Sequence, residues 1–88
     1  MMEIIKIKDK KIHNYTTAVR TGLAKEGDVK VVARGDTYNA KAINVACIIM
    51  REQNVSVSVE ILNEQFKNDD RTINVSAIEI RIKSGEYE

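Results

Sequence analysis

Basic side chains are the residues of this sequence whose types and spacing favour a particular chemistry. They occur as a lysine cluster near the start, an arginine before a Gly-Asp turn, and a pair flanking a polar stretch: Lys8, Lys10 and Lys11; Arg34; Lys67 and Arg71. Ammonium and guanidinium groups bind phosphate, including the phosphate backbone of nucleic acids. We therefore treat these six positions as a candidate phosphate-binding set.

The overall charge of the chain argues against an evenly basic surface. There are 14 Lys and Arg residues against 13 Asp and Glu residues, for a formal net charge of +1. A nucleic-acid-binding domain is expected to carry a basic patch or stripe. Either the basic residues gather on one surface while the acids lie elsewhere, or they are scattered solvated charges.

Residue patterns typical of enzymes are absent from the sequence. There is no nucleophile elbow, P-loop or G-x-G-x-x-G motif. The single histidine, His13, is expected to be a surface residue near a helix start, and Cys47 is expected to pack inertly in the core. The carboxylate pair Asp69-Asp70 is expected to be solvated on a loop. The sequence therefore predicts a protein that is not an enzyme and uses no cofactor or metal.

The length of 88 residues predicts one domain over 1–88. A domain of this size buries only about 60% of the surface of its unfolded chain, so oligomerisation is the expected source of further burial. The first residues contain no apolar signal-peptide core, and no run of about 18 apolar residues predicts a membrane span. With its lone cysteine, the chain is expected to be cytoplasmic.

The first half of the chain predicts two strands and two helices in alternation. Apolar residues among Met2–Lys8 predict a strand, and an apolar face beginning at Tyr15 predicts a helix that Asn14 caps and Gly27 ends. A short valine-rich strand then leads to Arg34. A second helix is predicted from Thr37 or Asn39 to about Gln53, and its apolar residues cover more than one face.

The second half predicts two strands joined by a hairpin. Strict alternation over Val55–Ile61 predicts a half-exposed strand, and Asn63–Arg71 is expected to form a long polar hairpin tip. Apolar residues change parity within the last strand, which predicts a bulge near Ala77. The tail Ser84–Glu88 is expected to be frayed.

The element order β-α-β-α-β-β predicts an α/β protein, more narrowly an α+β two-layer sandwich. Its four-stranded mixed sheet would carry both helices on one face. In such a sandwich, the loops after the first two strands emerge at the same edge of the sheet. The lysine cluster and Arg34 would then share one surface.

Three stretches of the sequence resemble the Alba family of archaeal chromatin proteins. Asn74-Val75-Ser76-Ala77-Ile78-Glu79-Ile80 is similar to the last strand of the family. The second strand of the family and its arginine-bearing turn resemble Val31-Val32-Ala33-Arg34-Gly35. The family's lysine pair and the start of its first helix resemble Lys10-Lys11 followed by Asn14-Tyr15. They occur in the family's order and at about its spacing.

The resemblance implies a homodimer that binds double-stranded DNA, and often RNA, with little sequence preference. It implies that Lys10, Lys11 and Arg34 contact the phosphate backbone, and that the β3–β4 hairpin carrying Lys67 and Arg71 follows the minor groove. It also implies that Asn14 anchors the loop by capping the helix. Lys10 or Lys11 would be the candidate for acetylation, and the protein would be associated with the nucleoid.

The chain also departs from the family pattern. The loop that carries the lysines lacks the family's proline, Asp9 precedes Lys10, and Asp36 follows Gly35. These carboxylates would lie within a Debye length, about 8 Å in physiological salt, of the basic groups and lower the local potential. In the family, an aromatic residue makes contacts between dimers, and its place is taken here by Glu52 or Gln53.

A protein-interaction or regulatory module without a nucleic-acid role is the alternative function.

Overall fold

The fold is described from a computed structural model, which covers residues 2–85. It contains four strands and two helices in the predicted order: β1 (Glu3–Lys6), α1 (Ile12–Glu26), β2 (Asp28–Arg34), α2 (Asp36–Glu52), β3 (Val55–Asn68) and β4 (Arg71–Ser84). Neither helix in this part of the chain is long and apolar enough to cross a membrane.

The four strands form one mixed sheet in the order β1-β2-β4-β3. β1 and β2 run parallel, while β4 pairs antiparallel with both β2 and β3. Both helices pack on the same face of this sheet, and the core lies between the two layers. The predicted α+β two-layer sandwich is therefore confirmed.

Helix α1 buries the face that its apolar spacing predicts. Tyr15, Val19 and Leu23 lie in the core, one or two turns apart. The helix ends at Gly27, whose left-handed backbone (φ +74°) lets its N–H donate to the carbonyl of Leu23 at 2.8 Å. Because a residue with a Cβ is strained in this conformation, glycine suits this position.

Helix α2 has one buried and one exposed apolar face. The buried face lies on the sheet and consists of Ala42, Val45, Ala46 and Ile49. The opposite side exposes Ile43, Cys47 and Met50. The expectation that Cys47 packs in the core was wrong, because its position on the helix turns the thiol away from the sheet.

The β3–β4 hairpin is longer and more regular than the sequence suggested. Pairing is continuous from Val55 opposite Ser84 to Asn68 opposite Arg71, so only Asp69-Asp70 form the turn. The predictions of a polar tip over Asn63–Arg71 and of a bulge near Ala77 were both wrong. Backbone pairing satisfies N–H and C=O groups whatever the polarity of the side chains.

The apolar residues of β4 change from odd-numbered to even-numbered positions because they lie on opposite faces of the strand in its two halves. Ile78, Ile80 and Ile82 point towards the helices and are buried, whereas Ile73 projects from the other face and is exposed. Between Ser76, which is hydrogen-bonded to Asn39 of α2, and the turn, the side chains of residues 65–74 are all exposed, so apolar residues there need not keep to one face. We call the protruding part of the hairpin, residues 64–75, the arm.

The end of β4 is better ordered than expected. The N–H of Ser84 donates to the carbonyl of Gly27 at 3.0 Å, and the N–H of Gly85 donates to that of Asn54 at 2.9 Å. The prediction of fraying from Ser84 onwards was therefore wrong for these two residues. The remainder of the predicted tail, residues 86–88, lies outside the described residues.

We expect Gly22→Ala to destabilise the protein, although alanine is the better helix former by about 1 kcal/mol. A Cβ at Gly22 would lie 2.7 Å from Cγ2 of Val29, which is fully buried and has no room to move. Overpacking of this kind costs about 1–3 kcal/mol. Urea unfolding measures the change in the free energy of unfolding.

The matched control is Thr21→Ala, at the neighbouring exposed position of α1. Its effect on the free energy of unfolding should stay within about 0.5 kcal/mol, as for most surface substitutions. A Gly22→Ala variant as stable as the wild type would contradict the close packing of α1 on β2.

Candidate functional site

The loops that follow β1 and β2 meet at one edge of the sheet, because the two strands are parallel neighbours. The N–H of Ile7 donates to the carbonyl of Val32 at 2.9 Å, which joins the start of the first loop to β2. Three exposed side chains follow, which we call the loop lysines: Lys8, Lys10 and Lys11. Within residues 2–85, none of their ammonium groups forms a salt bridge.

The hydroxyl of Tyr15 holds the backbone between the loop lysines. It accepts the N–H of Lys8 at 2.7 Å and the N–H of Lys10 at 3.1 Å. A hydroxyl oxygen has two acceptor lone pairs, and both are used here. Since the Tyr15 side chain belongs to α1 and is buried, the loop backbone is fixed to a rigid helix.

Lys41 of α2 holds the carbonyl groups of the same loop. Its Nζ donates to the carbonyl of Lys8 at 3.1 Å and to that of Lys10 at 3.0 Å. The same ammonium lies 5.9 Å from the ring centroids of both Tyr15 and Tyr38, within reach of cation–π attraction. We call Tyr15 and Lys41 together the loop clamp.

Two carboxylates lie among these basic groups, as the sequence indicated, and each accepts a hydrogen bond. Asp9 accepts one from the hydroxyl of Tyr38, and Asp36 accepts one from Oγ of Ser76 at 3.3 Å. The bond to Asp9 raises the pKa of the Tyr38 phenol, because it stabilises the protonated hydroxyl beside a negative charge. Asp9 stands between Lys8 and Lys10 in the loop, whereas Asp36 is two residues from Arg34.

Arg34 lies at the same edge, but its guanidinium already has partners on the arm. Its Nε donates to Oε1 of Glu64, and its Nη2 lies 3.4 Å from Oε2 of the same carboxylate. Its Cζ is 5.3 Å from the ring centroid of Phe66. The side chain is still 57% exposed, so solvent and ligands reach it from outside.

The turn that follows Arg34 is held against β4. Gly35 has φ +91°, a conformation that residues with a Cβ rarely adopt, and its N–H donates to the carbonyl of Ser76 at 2.8 Å. Nδ2 of Asn39 also donates to that carbonyl, at 3.2 Å. These bonds fix the point at which the chain enters α2.

Lys67 and Arg71 do not lie near the loops. They occupy opposite faces of the arm next to its turn, where Lys67 pairs with Thr72 and Arg71 with Asn68. Arg34 pairs with Ala77, which is six residues from Arg71 along β4. At about 3.4 Å per residue, this separation is roughly 20 Å. The structure thus brings the loop lysines and Arg34 together and leaves these two residues at a distance.

No family model matches the sequence. Among solved structures, the chain is similar to Alba from Thermoplasma volcanium, with a TM-score of 0.79 and 28% sequence identity over 92% of this chain and 99% of that chain. The chain has the Alba fold. The resemblance seen in three short stretches of sequence is therefore confirmed over nearly the whole length of both proteins.

In this chain, which shares the Alba fold, the loop is not anchored by Asn14, and that prediction was wrong. Helix α1 begins at Ile12 with Lys11 as its N-cap, and Asn14 lies exposed in the first turn without capping the helix. The helix starts earlier because Ile12 packs against the core and extends the apolar face backwards. The loop clamp takes over the anchoring role.

The sequence contained weak signals for the residues that were missed. Lys41 is one of few polar residues within a largely apolar helix, and Tyr38 precedes it by three residues, a spacing that brings helical side chains together. No pattern in the sequence predicted the contact between Glu64 and Arg34, because the two residues are 30 positions apart and their contact depends on strand register. Residues 2–85 contain no group of three or more His, Cys, Asp or Glu side chains able to hold a metal.

We expect Tyr15→Phe to loosen the loop while leaving the core packed. The ring remains, but the N–H groups of Lys8 and Lys10 lose their acceptor. A hydrogen bond of this kind contributes about 0.5–1.5 kcal/mol, so the two amides should exchange with solvent about two- to tenfold faster. Amide hydrogen exchange followed by NMR measures both rates.

Tyr38→Phe is the control for that experiment. It removes the hydroxyl bonded to Asp9 but leaves the Tyr15 acceptor in place. The amides of Lys8 and Lys10 should keep their wild-type exchange rates in this variant. Equal rates in the wild type and in Tyr15→Phe would show that the clamp does not hold the loop.

Proposed function

We propose that this protein is a binding protein for double-stranded nucleic acid, DNA or RNA, which it holds through the phosphate backbone without reading sequence. The observation that carries the proposal is the set of exposed loop lysines, without salt bridges inside residues 2–85, that the clamp holds at one edge of an Alba fold. The proposal includes a cytoplasmic, nucleoid-associated location. It assigns the protein no catalytic activity and no cofactor.

The clamp supports phosphate binding by fixing the loop before a ligand arrives. Each contact to a phosphate must offset the loss of freedom of the groups that make it. A loop whose backbone is already hydrogen-bonded at both N–H and C=O groups has less freedom left to lose. Acetylation of Lys10 or Lys11 would remove a charge while keeping the loop in place.

The positions of the basic residues favour binding without sequence readout. Contacts to phosphate fix the position of a protein on a duplex, whereas contacts to base edges carry the sequence information. The loop lysines extend from a short loop rather than from a helix that could lie in the major groove. We assign Lys67 and Arg71 to a separate contact farther along the duplex, made by the tip of the arm.

An exposed apolar surface supports the proposal that the protein acts as a homodimer. Val59 and Ile61 of β3 pair with Ile80 and Ile78 and so project from the helix-bearing face of the sheet. Val59 is 53% exposed and Ile61 is 73% exposed. The exposed side of α2 adds two more apolar residues, Ile43 and Met50. A second copy of the chain would cover this surface and double the number of loop lysines.

A protein-interaction module on the same fold is the second candidate function. It is supported by the carboxylate of Asp9 between the loop lysines, by that of Asp36 next to the Arg34 turn, and by the internal pairing of Arg34 with Glu64. The net charge of +1 also favours it. Nucleic acid that copurifies with the protein, seen as a high ratio of absorbance at 260 to 280 nm, distinguishes the two functions.

We expect the double substitution Lys10→Gln and Lys11→Gln to weaken binding to all duplexes alike. On duplex DNA, each lost phosphate contact makes the log–log salt dependence of binding shallower by about 0.9. A dimer that loses four contacts would change its slope by up to about 3.6. Fluorescence anisotropy with DNA and RNA duplexes of different sequence, over a salt series, measures affinity and slope.

Lys25→Gln is the matched control, since Lys25 lies in the last turn of α1, at the opposite end of the helix from the loop. It should bind almost as the wild type does. If the wild type binds no duplex at low salt, the proposed function is wrong. If Lys25→Gln weakens binding as much per charge as the double variant, the loop is not the site.

We expect Ile61→Asp to convert the dimer into a monomer, because a carboxylate would be buried in the proposed interface. Ile4→Asp is the control: Ile4 is 56% exposed and projects from the opposite face of the sheet. Sedimentation equilibrium at micromolar concentration measures the mass of each variant. A wild-type monomer, or equal dissociation in both variants, would refute this interface.

A further inference from the structure

Arg34 is the one basic residue of the proposed site whose charge is already paired within the described residues. We propose that Glu64 sets the affinity of the site by competing with nucleic-acid phosphate for the guanidinium of Arg34. This inference rests on the proposed function and adds to it a residue of the arm that opposes binding. Glu64 belongs to β3, and Arg34 ends β2.

The geometry of the pair makes the carboxylate and a phosphate mutually exclusive at one edge of the Arg34 guanidinium. Glu64 faces Nε and Nη2 of Arg34, the edge of the guanidinium that also forms two parallel bonds to a phosphate. A phosphate can therefore contact this edge only after the carboxylate leaves. Until then the guanidinium offers its remaining donors, beside a negative charge that repels the ligand.

Phe66 provides a second contact that holds Arg34 on the arm. The guanidinium lies 5.3 Å from the ring centroid, a distance at which an exposed cation–π contact is weakly attractive. Transfer of Arg34 to a phosphate breaks this contact together with the ion pair. Phosphate binding at the turn therefore removes the side-chain contacts between Arg34 and the arm, while the backbone pairing of β3 with β4 stays in place.

The expected size of the competition follows from the exposure of the pair. Both side chains are partly solvated, at 57% and 36% exposed, so the ion pair is weak and a phosphate can displace it. Loss of an exposed ion pair changes an equilibrium by roughly two- to fivefold. Glu64→Gln should tighten duplex binding by about that factor for each Arg34 in the assembly.

Glu60→Gln is the matched control, because it removes the same charge without touching Arg34. Glu60 is exposed, lies four residues before Glu64 on β3, and projects from the same face of the sheet. A general gain from the lost negative charge would appear in both variants. A gain from releasing Arg34 would appear only in Glu64→Gln.

Anisotropy with a DNA duplex of fixed sequence, over a salt series, compares the wild type with Glu64→Gln and Glu60→Gln. We expect Glu64→Gln to bind about two- to fivefold more tightly per Arg34 than Glu60→Gln, with a steeper salt dependence. In an Arg34→Gln background, the two glutamate substitutions should have equal effects. If the wild type binds but Glu64→Gln behaves as Glu60→Gln does, the competition is refuted while the proposed function stands.

The single phenylalanine of the chain offers a readout that does not depend on affinity. With 4-fluorophenylalanine at Phe66, ¹⁹F NMR reports whether Arg34 lies over the ring. Adding duplex to the wild type should shift the resonance in the same direction as Arg34→Gln does without duplex. A resonance that stays in place when the protein is saturated with duplex would overturn the proposal, and a wild type that binds no duplex would overturn it together with the proposed function.

Discussion

The pairing of β2 with β4 is the contact on which the rest of the structure depends. It runs from Asp28 opposite Lys83 to Arg34 opposite Ala77 and joins strands that are far apart in the sequence. On one face, this ladder aligns valines of β2 with isoleucines of β4 to make the floor on which both helices pack. On the other face, ion pairs cross between the strands, among them Asp28 with Arg81, which lowers the pKa of the Asp28 carboxyl. The last pair of the ladder brings Arg34 to the base of the arm.

Most of the fold could be predicted because the spacing of apolar residues along a helix or strand indicates which of its faces is buried. The element order, the buried face of α1 and the capping role of Gly27 all followed from such local patterns. The arm could not be predicted in this way, because a ribbon exposed on both faces has no reason to alternate, and residues 63–68 therefore resembled a loop. The exposed thiol of Cys47 was missed for a related reason: an apolar helix pattern does not show which of two apolar faces meets the sheet.

The sequence predicted the basic residues of the candidate site but not the contacts that hold them in place. Loop lysines and Arg34 stand out in a sequence, and parallel strands β1 and β2 bring their loops together as expected. The contacts that hold the loop join Lys41 to backbone carbonyls 31 and 33 residues away, and no local pattern encodes them. The result is a site with two kinds of basic residue. The lysines are free within the described structure and held in place through their backbone, whereas Arg34 is engaged by its side chain.

The position of β3 at the border of the sheet gives Glu64 a second consequence. From Ser56 to Asn68, one side of the strand has no neighbouring strand within residues 2–85, so a row of backbone N–H and C=O groups faces outward and can pair with other molecules. Charged side chains on such strands discourage intermolecular sheet growth, and Glu60, Glu64 and Lys67 interrupt this one at short intervals. The carboxylate that restrains Arg34 is thus also a gatekeeper against aggregation. Under the proposed competition for Arg34, colloidal stability and ligand affinity depend on the same residue, and a sequence change that favours one acts against the other.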